Sequence, residues 1–312
     1  MRKKILFYCP SQKNLAEELF LANPEIIVGQ IDWHKFDDGF PNLKIFNSTG
    51  LSDTDVSFLA DFSRVEEIFP QLAVIYALPS YGINSLKVFL PFFSTGTMDR
   101  VAEDGQIVTA KTLARLLSVI PPAASPPQVI IFDIHALQEQ FYFSDQVRVH
   151  LVTAINLLLA RLKSEGKTAA NTAIAFPDEG AYKRFKRYFD GYDLIICEKR
   201  RIDGKRVITI KEGDPKGKEV IIVDDLILTG GTLLECSKVL YEYGALSVGA
   251  SATHPVFPKK NWNDFAKAGI KLYLTNSCPE IVAQIRDDRF QEPGDVEIVS
   301  LAPAIIDIIG NH

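Results

Sequence analysis

The 312-residue chain has few cysteines, no long apolar run and no excess of positive charge. Its four cysteines, Cys9, Cys197, Cys236 and Cys278, are widely spaced and form no CxxC pair, which argues against a zinc site. No apolar stretch approaches the roughly 20 residues of a membrane-spanning helix, and the apolar part of MRKKILFYCP is too short for a secretory signal. A net charge of −5 argues against nucleic-acid and anionic-membrane partners, which favour a basic surface. We therefore expect a cytoplasmic protein with reduced thiols.

Short apolar runs alternate with helical patterns along the whole chain. In the first half, strands are predicted at KKILFY, LAVIYAL (72–78), SLKVFLP (85–91) and QVIIFDI (128–134), and a helix at 105–120. In the second half, helices are predicted at 147–166, AYKRFKRYF and LLECSKVLYEYGA, and strands at TAIAFP, DLIIC, EVIIVD, LSVGASAT and IKLYLT. This alternation predicts an α/β fold whose largely parallel sheets carry helices on both faces. We expect two such domains, 1–150 and 151–299, and a terminal helix in 300–312 that packs on the first.

The segment VIIVDDLILTGGT (220–232) combines an apolar strand with two acids and a glycine pair. Ligands of open α/β sheets bind beyond the carboxyl ends of the strands, which is where Asp224 and Asp225 are expected. Glycines leave the backbone N–H groups of a following helix open to a phosphate, and threonine hydroxyls add donors. The residues expected to form this phosphate loop are Thr229, Gly230, Gly231 and Thr232. Carboxylates accept hydrogen bonds from vicinal hydroxyls, so the segment predicts a site for a sugar phosphate such as ribose 5-phosphate.

A purely structural role is the alternative for this segment. In that interpretation it is a strand–turn–helix connection with solvated acids, which TGG alone would favour. The complete pattern of apolar strand, Asp-Asp and TGGT favours the binding site. It is not a Walker loop, because no Gly-Lys-Ser/Thr follows.

The motif resembles the phosphoribosyl-diphosphate loop of type I phosphoribosyltransferases, and the chain as a whole resembles ribose-phosphate pyrophosphokinases, which carry two such domains. The matching segments are KFDDGFPN (35–42), LPFFSTGTMDR (90–100), FDIHALQEQFYF (132–143), AFPDEGAYKRF (175–185), EKRR (198–201), IKEGDPKGKEVIIVDDLILTGGT (210–232) and THPVFP (253–258). They occur in order over nearly the full length, which makes the resemblance specific. The sequence is most similar to the plant-type class, which depends less on phosphate.

The resemblance implies transfer of the β,γ-diphosphoryl group of ATP to the C1 hydroxyl of ribose 5-phosphate, with AMP as the second product. It also implies Mg²⁺ as cofactor and a homo-oligomer built from dimers. Such chemistry needs neutralisation and alignment of the phosphates more than covalent help. The catalytic residues implied are Lys199 and Arg201, on a loop that closes over the ATP phosphates. A solvated basic hairpin tip is the alternative for this segment.

Two further residues are implied to work with Mg-ATP. The resemblance gives His135 a role in holding Mg-ATP, whereas a satisfied core histidine is the alternative. Asp178 resembles the magnesium-associated aspartate of the family, whereas an N-cap for the helix after it is the alternative. Magnesium favours few carboxylates together with phosphate oxygens and water, so sparse acids suffice.

The implied nucleotide pocket departs from the usual family pattern at two places. Phe36, Asp38 and Phe40 are the candidates for the adenine pocket, which relatives share across a dimer interface; a Gly-Pro surface turn with a buried phenylalanine is the alternative. This loop differs from the usual one, so other nucleoside triphosphates are candidate substrates besides ATP. Thr97 replaces an arginine that contacts ATP in many members, leaving Asp99 and Arg100 as candidates.

Two other functions fit part of the pattern. A phosphoribosyltransferase of base salvage has the same loop, but it needs neither the FDIHA segment nor a Lys-x-Arg segment. A non-catalytic subunit that binds sugar phosphate and regulates true synthetases is the second alternative. The presence of Lys199, Arg201, His135 and Asp178 argues against it, and Thr97 argues mildly for it.

Overall fold

The computed structural model describes residues 2–202, 205–288 and 296–310, apart from the side chains of residues 201, 202, 205 and 206. It divides into two compact units. The first comprises Met1–Thr153 and Leu301–His312, and the second comprises Ala154–Ser300. The chain therefore passes into the second unit after Thr153 and returns to the first at Leu301.

The first unit begins with strands and helices that alternate along the chain. They are β1 (Lys4–Tyr8), α1 (Lys13–Ala22), β2 (Ile26–Val28), β3 (Ile31–Lys35), β4 (Pro41–Ile45), β5 (Asp55–Leu59), α2 (Val65–Ala77), β6 (Ser85–Leu90), α3 (Thr109–Ser118), β7 (Gln128–Phe132) and β8 (Arg148–Val152). Six strands form one sheet in the order β2-β1-β5-β6-β7-β8, with every neighbouring pair parallel. The other two, β3 and β4, form an antiparallel hairpin.

The second unit contains α4 (Ile155–Ser164), β9 (Thr172–Phe176), α5 (Glu179–Phe185), β10 (Asp193–Ile202), β11 (Lys205–Glu212), β12 (Glu219–Ile227), α6 (Gly231–Glu242), β13 (Ser247–Pro255), α7 (Asn263–Lys267), β14 (Ile270–Thr275), α8 (Pro279–Asp287) and β15 (Val296–Val299). Its sheet has the order β11-β10-β9-β12-β13-β14-β15. All neighbours are parallel except β10 and β11, which form an antiparallel hairpin at one edge. The helix α9 (Ala302–Gly310) belongs to the first unit, where it contacts α1.

Both sheets are covered by helices, as the sequence predicts. In the second unit, Val223 and Ile221 face a core that includes residues of α4 and α5, whereas Val220 and Ile222 face a core that includes residues of α6 and α7. Alternating side chains of a central strand are thus buried on both faces, which explains its continuous apolar sequence. The prediction of an α/β fold with largely parallel sheets is confirmed.

Two local predictions are wrong. Residues 72–77 belong to α2 and Leu78 to the short 3-10 helix that follows, not to a strand, and the buried side chains Leu72, Val74, Ile75 and Leu78 follow helical spacing. The segment 147–166 is not one helix, because β8 occupies 148–152 before α4 begins at Ile155. Gly166 does end α4, with φ of 76° and a hydrogen bond from its N–H to the carbonyl of Lys163.

Strand β12 is longer than predicted, and its extension positions the acids. Its pairing with β9 stops at Ile222, but its pairing with β13 continues to Ile227. Asp224 and Asp225 therefore lie on the part of β12 that extends beyond the carboxyl end of β9. This is the edge at which parallel sheets bind ligands.

Candidate active site

The connection from β12 to α6 is built around Gly230. This residue has φ of 71°, and a Cβ there would lie 2.5 Å from the ring of Phe265, which is fully buried on α7. Both the left-handed backbone and the close ring require glycine. The side-chain amide of Asn261 donates a hydrogen bond to the Thr229 carbonyl at 2.7 Å and holds the other side of the turn.

Gly231 begins α6 and has open space around it. A Cβ at this position would meet only Thr229 Oγ1, at 3.8 Å. The first N–H groups of an α-helix have no intrahelical acceptor and carry the positive end of its dipole. Thr229 is exposed and Thr232 is half-buried, so their hydroxyls lie at the same helix end. The loop therefore has the space, the donors and the polarity that a phosphate group requires.

Asp224 and Asp225 form a close acid pair at the end of β12. Asp224 Oδ1 accepts a hydrogen bond from the Asp225 N–H at 2.9 Å. The pKa of Asp224 is raised well above its ordinary value, first by burial and then by the negative charge of Asp225 and a hydrogen bond with its carboxyl group. Asp178 adds to the rise through its own charge. The site thus concentrates negative charge where little water reaches it, and a ligand that donates hydrogen bonds or a cation would relieve this repulsion.

Arg184 is a site residue that the sequence analysis missed. Its guanidinium lies 3.6 Å from Asp225 Oδ2, and both side chains are largely buried, at 12% and 9% exposed. Arg184 lies in the predicted helix AYKRFKRYF, but nothing in that pattern indicates a contact with a residue 41 positions later. Buried arginines are normally paired with an acid, so a helix-face arginine among apolar residues is the only available signal.

Asp178 has two partners. Its Oδ1 accepts a hydrogen bond from the Ala181 N–H at 3.0 Å and thereby caps α5, as in the alternative interpretation of this residue. Its Oδ2 lies 3.9 Å from Lys199 Nζ. The structure therefore brings Asp178 and the predicted catalytic lysine together. Asp178 also acts on the charge of Asp224, so all three residues belong to one cluster.

Lys199 and Arg201 lie within strand β10, whereas the resemblance implies a loop at this place. Lys199 is opposite Ile208 of β11 and Arg201 is opposite Arg206, so both belong to the antiparallel hairpin. The Lys199 side chain is 28% exposed. The Arg201 side chain lies outside the described residues, and its predicted role stays a prediction.

The donors available for a magnesium ion are sparse. Within the described part of the chain, no group of three or more His, Cys, Asp or Glu is arranged to hold a metal ion. Asp178 keeps one carboxylate oxygen that is not used in the helix cap, and Asp224 carries a carboxyl group whose ionisation is opposed by its acidic neighbours. This chemistry fits an ion that takes one or two carboxylates and completes its shell with phosphate oxygens and water.

In the first unit, His135 lies three residues after the end of β7, in a segment whose backbone conformation is unusual. Asp133, just after the strand, is buried and has φ of 33°, a conformation that is uncommon for a residue other than glycine. His135 is exposed, so the alternative of a core histidine is wrong. A Cβ at Gly96 would lie 3.2 Å from His135 Cβ, which shows that the Thr-Gly-Thr segment packs against the histidine.

Asp99 and Arg100 continue from that segment. Arg100 Nε lies 3.8 Å from Asp99 Oδ1, and the Arg100 side chain is 85% exposed. The hydroxyl of Tyr142 donates a hydrogen bond to the Asp99 carbonyl and ties this loop to the segment after β7. Arg100 is therefore available to an external anion, and its neighbour Thr97 is exposed as well.

Phe36, Asp38 and Phe40 form the tip of the β3–β4 hairpin. Asp38 Oδ1 accepts a hydrogen bond from the Phe40 N–H at 3.0 Å, and the Phe36 N–H donates to the Phe40 carbonyl at 2.8 Å. Phe36 is 55% exposed and Phe40 is 64% exposed. The alternative of a surface turn with a buried phenylalanine is therefore wrong, because both rings lie at the surface.

Comparisons with known proteins agree on one class. A family model described as phosphoribosyl transferase domain matches residues 164–261, which include the acid pair and the glycine loop. Ribose-phosphate pyrophosphokinase 3 from rice chloroplasts (Oryza sativa subsp. japonica) is 45% identical over 96% of this chain and 74% of its own length. Ribose-phosphate pyrophosphokinase 4 of Arabidopsis thaliana is 43% identical over 99% of this chain and 92% of its own length.

Among solved structures, the phosphoribosylpyrophosphate synthetase from Mycobacterium smegmatis has a similar fold. It matches with a TM-score of 0.82 at 23% sequence identity, covering 99% of this chain and 98% of that protein. At this level of identity, the match shows the fold alone.

In the described residues, no helix has the length and apolar character to cross a membrane.

Proposed function

This chain belongs to the ribose-phosphate pyrophosphokinase family, and we propose that residues 224–232 bind the ribose 5-phosphate used in its reaction. The enzyme transfers the β,γ-diphosphoryl group of ATP to the C1 hydroxyl of ribose 5-phosphate, giving phosphoribosyl diphosphate and AMP. One observation carries the assignment of the sugar site. An acid pair, of which Asp225 is buried and Asp224 half-buried, lies at the end of β12, directly before a loop in which Gly230 and Gly231 expose a helix N-terminus.

Each part of the loop has a distinct task in this proposal. The phosphate of the sugar lies against the first N–H groups of α6 and the hydroxyls of Thr229 and Thr232. The vicinal hydroxyls of the ribose donate hydrogen bonds to Asp224 and Asp225. Arg184 pairs with the carboxylate of Asp225 and fixes its direction, because an unpaired buried charge would be costly. The sugar is then held at both ends, which orients its C1 hydroxyl for in-line attack.

We propose that Lys199 stabilises the charge that develops on the transferring phosphates. When the C1 oxygen forms its bond to the β-phosphorus, the bond from that phosphorus to the oxygen of the α-phosphate breaks. A cation that is already positioned lowers the energy of this state more than that of the ground state. The contact with Asp178 at 3.9 Å holds the ammonium group beside the acid cluster. Arg201, two residues along the same strand, has the same proposed role.

Magnesium is the proposed cofactor; the residue proposed to bind magnesium in the first unit is His135, and the residue proposed to bind it in the second unit is Asp178. When bound, the ion neutralises phosphate charge. Asp178 can contribute Oδ2 while Oδ1 remains in the cap of α5, so the ion and the Lys199 ammonium group would be alternative partners of this oxygen. His135 is exposed at the surface of the first unit.

The nucleotide side is proposed to include Phe36, Asp38, Phe40, Asp99, Arg100 and His135. Exposed aromatic rings at a hairpin tip can stack on a base, and Asp38 can accept hydrogen bonds from its amino group. Arg100 supplies a charge near Thr97, where an arginine is absent. We further propose that ATP is the main donor, that other nucleoside triphosphates also serve, and that the enzyme is a homo-oligomer built from dimers.

The finer class and the location are also proposals. The Thr-Gly-Thr segment and the two plant relatives support the plant-type class that depends less on phosphate. Four free, buried thiols fit a reducing compartment, and we propose a cytoplasmic enzyme with neither nucleic-acid nor membrane partners.

One assay tests the reaction against both alternatives. The purified protein is mixed with ATP, Mg²⁺ and ribose 5-phosphate, and AMP and phosphoribosyl diphosphate are quantified. We expect the two products in equal amounts. A salvage phosphoribosyltransferase would form no AMP but would release diphosphate from phosphoribosyl diphosphate and a base. A regulatory subunit would do neither and would still bind the sugar phosphate.

A further inference from the structure

Two buried cysteines from distant parts of the second unit are in direct contact. Cys197 lies on β10 and Cys236 on α6, and their sulfur atoms are 3.0 Å apart. Both are free thiols with fully buried side chains. The fold therefore brings two of the four widely spaced cysteines together, although the sequence shows no CxxC pair.

The two cysteines lie on the two elements that carry the active-site groups. Cys197 is two residues before Lys199 on β10, so both side chains project from the same face of the strand. Cys236 is four residues after Thr232, one turn into the helix that begins at the glycine loop. The negative charge of Asp224 and the positive charge of Lys199 both act on the Cys236 thiol. A covalent bond between these sulfurs would therefore join the lysine strand to the phosphate-loop helix.

The contact also makes the two sulfurs chemically unequal. A hydrogen bond with Cys236 lowers the pKa of Cys197, whereas the same hydrogen bond and burial raise the pKa of Cys236. Either sulfur can donate the hydrogen bond that joins them, and the opposite directions of the two pKa changes favour Cys197 as the sulfur that reacts first. Cys9 is a useful contrast, because burial raises its pKa to about 12 and keeps it protonated. Thiolates are the reactive form of cysteine.

We propose that Cys197 and Cys236 form a reversible disulfide on exposure to a hydroperoxide, and that this bond switches the enzyme off. The Cys197 sulfur attacks one peroxide oxygen, the O–O bond breaks, and a sulfenic acid and water are formed. The Cys236 sulfur then loses its proton and attacks Cys197, which expels the hydroxyl group as a second water. Two thiols lose two electrons in total, and one peroxide becomes two waters.

The geometry explains why this bond would affect turnover. A disulfide has a sulfur–sulfur distance of about 2.0 Å, so the two sulfurs must approach by about 1 Å, and the part of this shift that the side chains do not take up moves β10 and α6. A shift of that size at groups that position a substrate can reduce the rate by about 10²-fold. Because the sulfurs already point at each other, the bond forms without unfolding of either element. A dithiol restores both thiols by exchange and returns β10 and α6 to their original separation.

The proposal is tested on the intact protein by mass and by turnover together. The enzyme is treated with hydrogen peroxide, quenched with catalase, alkylated and digested without reductant. We expect a linked peptide pair containing Cys197 and Cys236 that is two hydrogen masses lighter than the separate peptides. In the same sample kcat should fall by about 10²-fold and recover with dithiothreitol.

Two variants separate the disulfide from other oxidation. Cys236→Ala should keep most of its activity under the same treatment, and Cys197→Ser provides a second test if that variant folds poorly. Cys9→Ala, which removes another buried thiol, should lose activity as the wild type does. A linked peptide that forms without any change in kcat would overturn the proposal. It would also be overturned if both thiols remained free, or if Cys236→Ala lost activity as fully as the wild type.

Discussion

Arg184 and Asp225 form an ion pair of 3.6 Å at the carboxyl edge of the second sheet, where water has little access. Arg184 comes from α5, whose first turn is capped by Asp178, and Asp225 comes from the end of β12. The ion pair therefore connects the Asp224–Asp225 pair to helix α5, which begins at Asp178. Because a buried charge without a partner is costly, the contact stabilises both charged groups and fixes the direction of each side chain.

Replacement of Arg184 should affect the sugar substrate selectively. Arg184→Ala removes a buried ion-pair partner of Asp225, and breaking a buried pair in this way costs about 3 kcal/mol of stability. We expect an increase of at least about tenfold in KM for ribose 5-phosphate, which corresponds to ~1.4 kcal/mol, with little change in KM for ATP. Arg184→Lys keeps the charge and should recover part of the affinity.

Arg187→Ala is the matched control, because Arg187 is exposed in the turn that follows the same helix. Equal changes in both KM values would contradict the positioning role.

Asp224 should make the unliganded protein less stable as pH rises. Its pKa is raised in the folded state, so below its unfolded value of about 4 both states hold the proton and nothing is lost. Above that pH the unfolded state releases the proton more readily, and stability falls until the folded pKa is passed. Asp224→Asn does not titrate and keeps an acceptor for the Asp225 N–H. We expect its thermal midpoint to exceed that of the wild type by a margin that grows as pH rises above about 4 and becomes constant once the folded-state pKa of Asp224 is passed. The variant should also lose activity.

Asp224→Asn should have a higher thermal midpoint than the wild type, whereas Asp225→Asn should have a lower one. That change removes the partner of Arg184, so it should lower the thermal midpoint at neutral pH. The comparison is informative because the two acids are adjacent in sequence and both lie in the proposed sugar site. If both amide variants were destabilised to the same extent, the assignment of repulsion to Asp224 and ion pairing to Asp225 would be wrong.

Replacement of Lys199 should lower the turnover rate strongly and change the stability of the fold little. Removal of one positioned charge contact to a transition state costs about 10²–10³ in rate, and we expect Lys199→Ala to lose kcat by that factor. The contact with Asp178 is partly exposed, so its loss should change stability little. Lys211→Ala is the control, since Lys211 lies on the other strand of the same hairpin and pairs with Glu179. Steady-state kinetics with a wild-type rate for Lys199→Ala would dismiss the catalytic role.

The sequence predicts the parts of the fold that rest on local patterns. The strand at 219–223 is recognisable because every residue from Val220 to Val223 is apolar, and the helix at α6 is recognisable from its spacing. The same argument fails at 72–78, because a short apolar run alone does not distinguish a strand from a buried helix. There, Glu66 and Glu67 mark a helix N-terminus that lies outside the apolar run. At 147–152 the alternation of Val147, Val149 and Leu151 with polar residues indicates a strand, and it was hidden by the helical pattern that follows.

In the candidate site, too, the features that are local in sequence can be predicted and the contacts between distant residues cannot. The acid pair and the glycine loop are adjacent in sequence, so their chemistry can be predicted without coordinates. The contacts of Arg184 with Asp225 and of Cys197 with Cys236 span 41 and 39 positions, and they exist only because β10, β12, α5 and α6 are packed together. Long-range pairs of this kind have no local pattern.

The central claim is that the Gly230–Gly231 loop holds the phosphate of ribose 5-phosphate, and Gly231→Ala tests it most directly. A Cβ at Gly231 meets only Thr229 Oγ1 at 3.8 Å, and alanine favours a helix, so this variant should be as stable as the wild type. Gly230→Ala is the contrasting variant, because its Cβ would lie 2.5 Å from the Phe265 ring and should destabilise the protein.

The measurement is calorimetric titration of folded Gly231→Ala with each substrate, alongside the wild type. If a phosphate lies against the start of α6, the added methyl group occupies its space, and the affinity for ribose 5-phosphate should fall at least about tenfold, or ~1.4 kcal/mol, while ATP binds as before. Unchanged binding of ribose 5-phosphate by this variant would contradict the account, because the loop would then not be where the sugar phosphate lies.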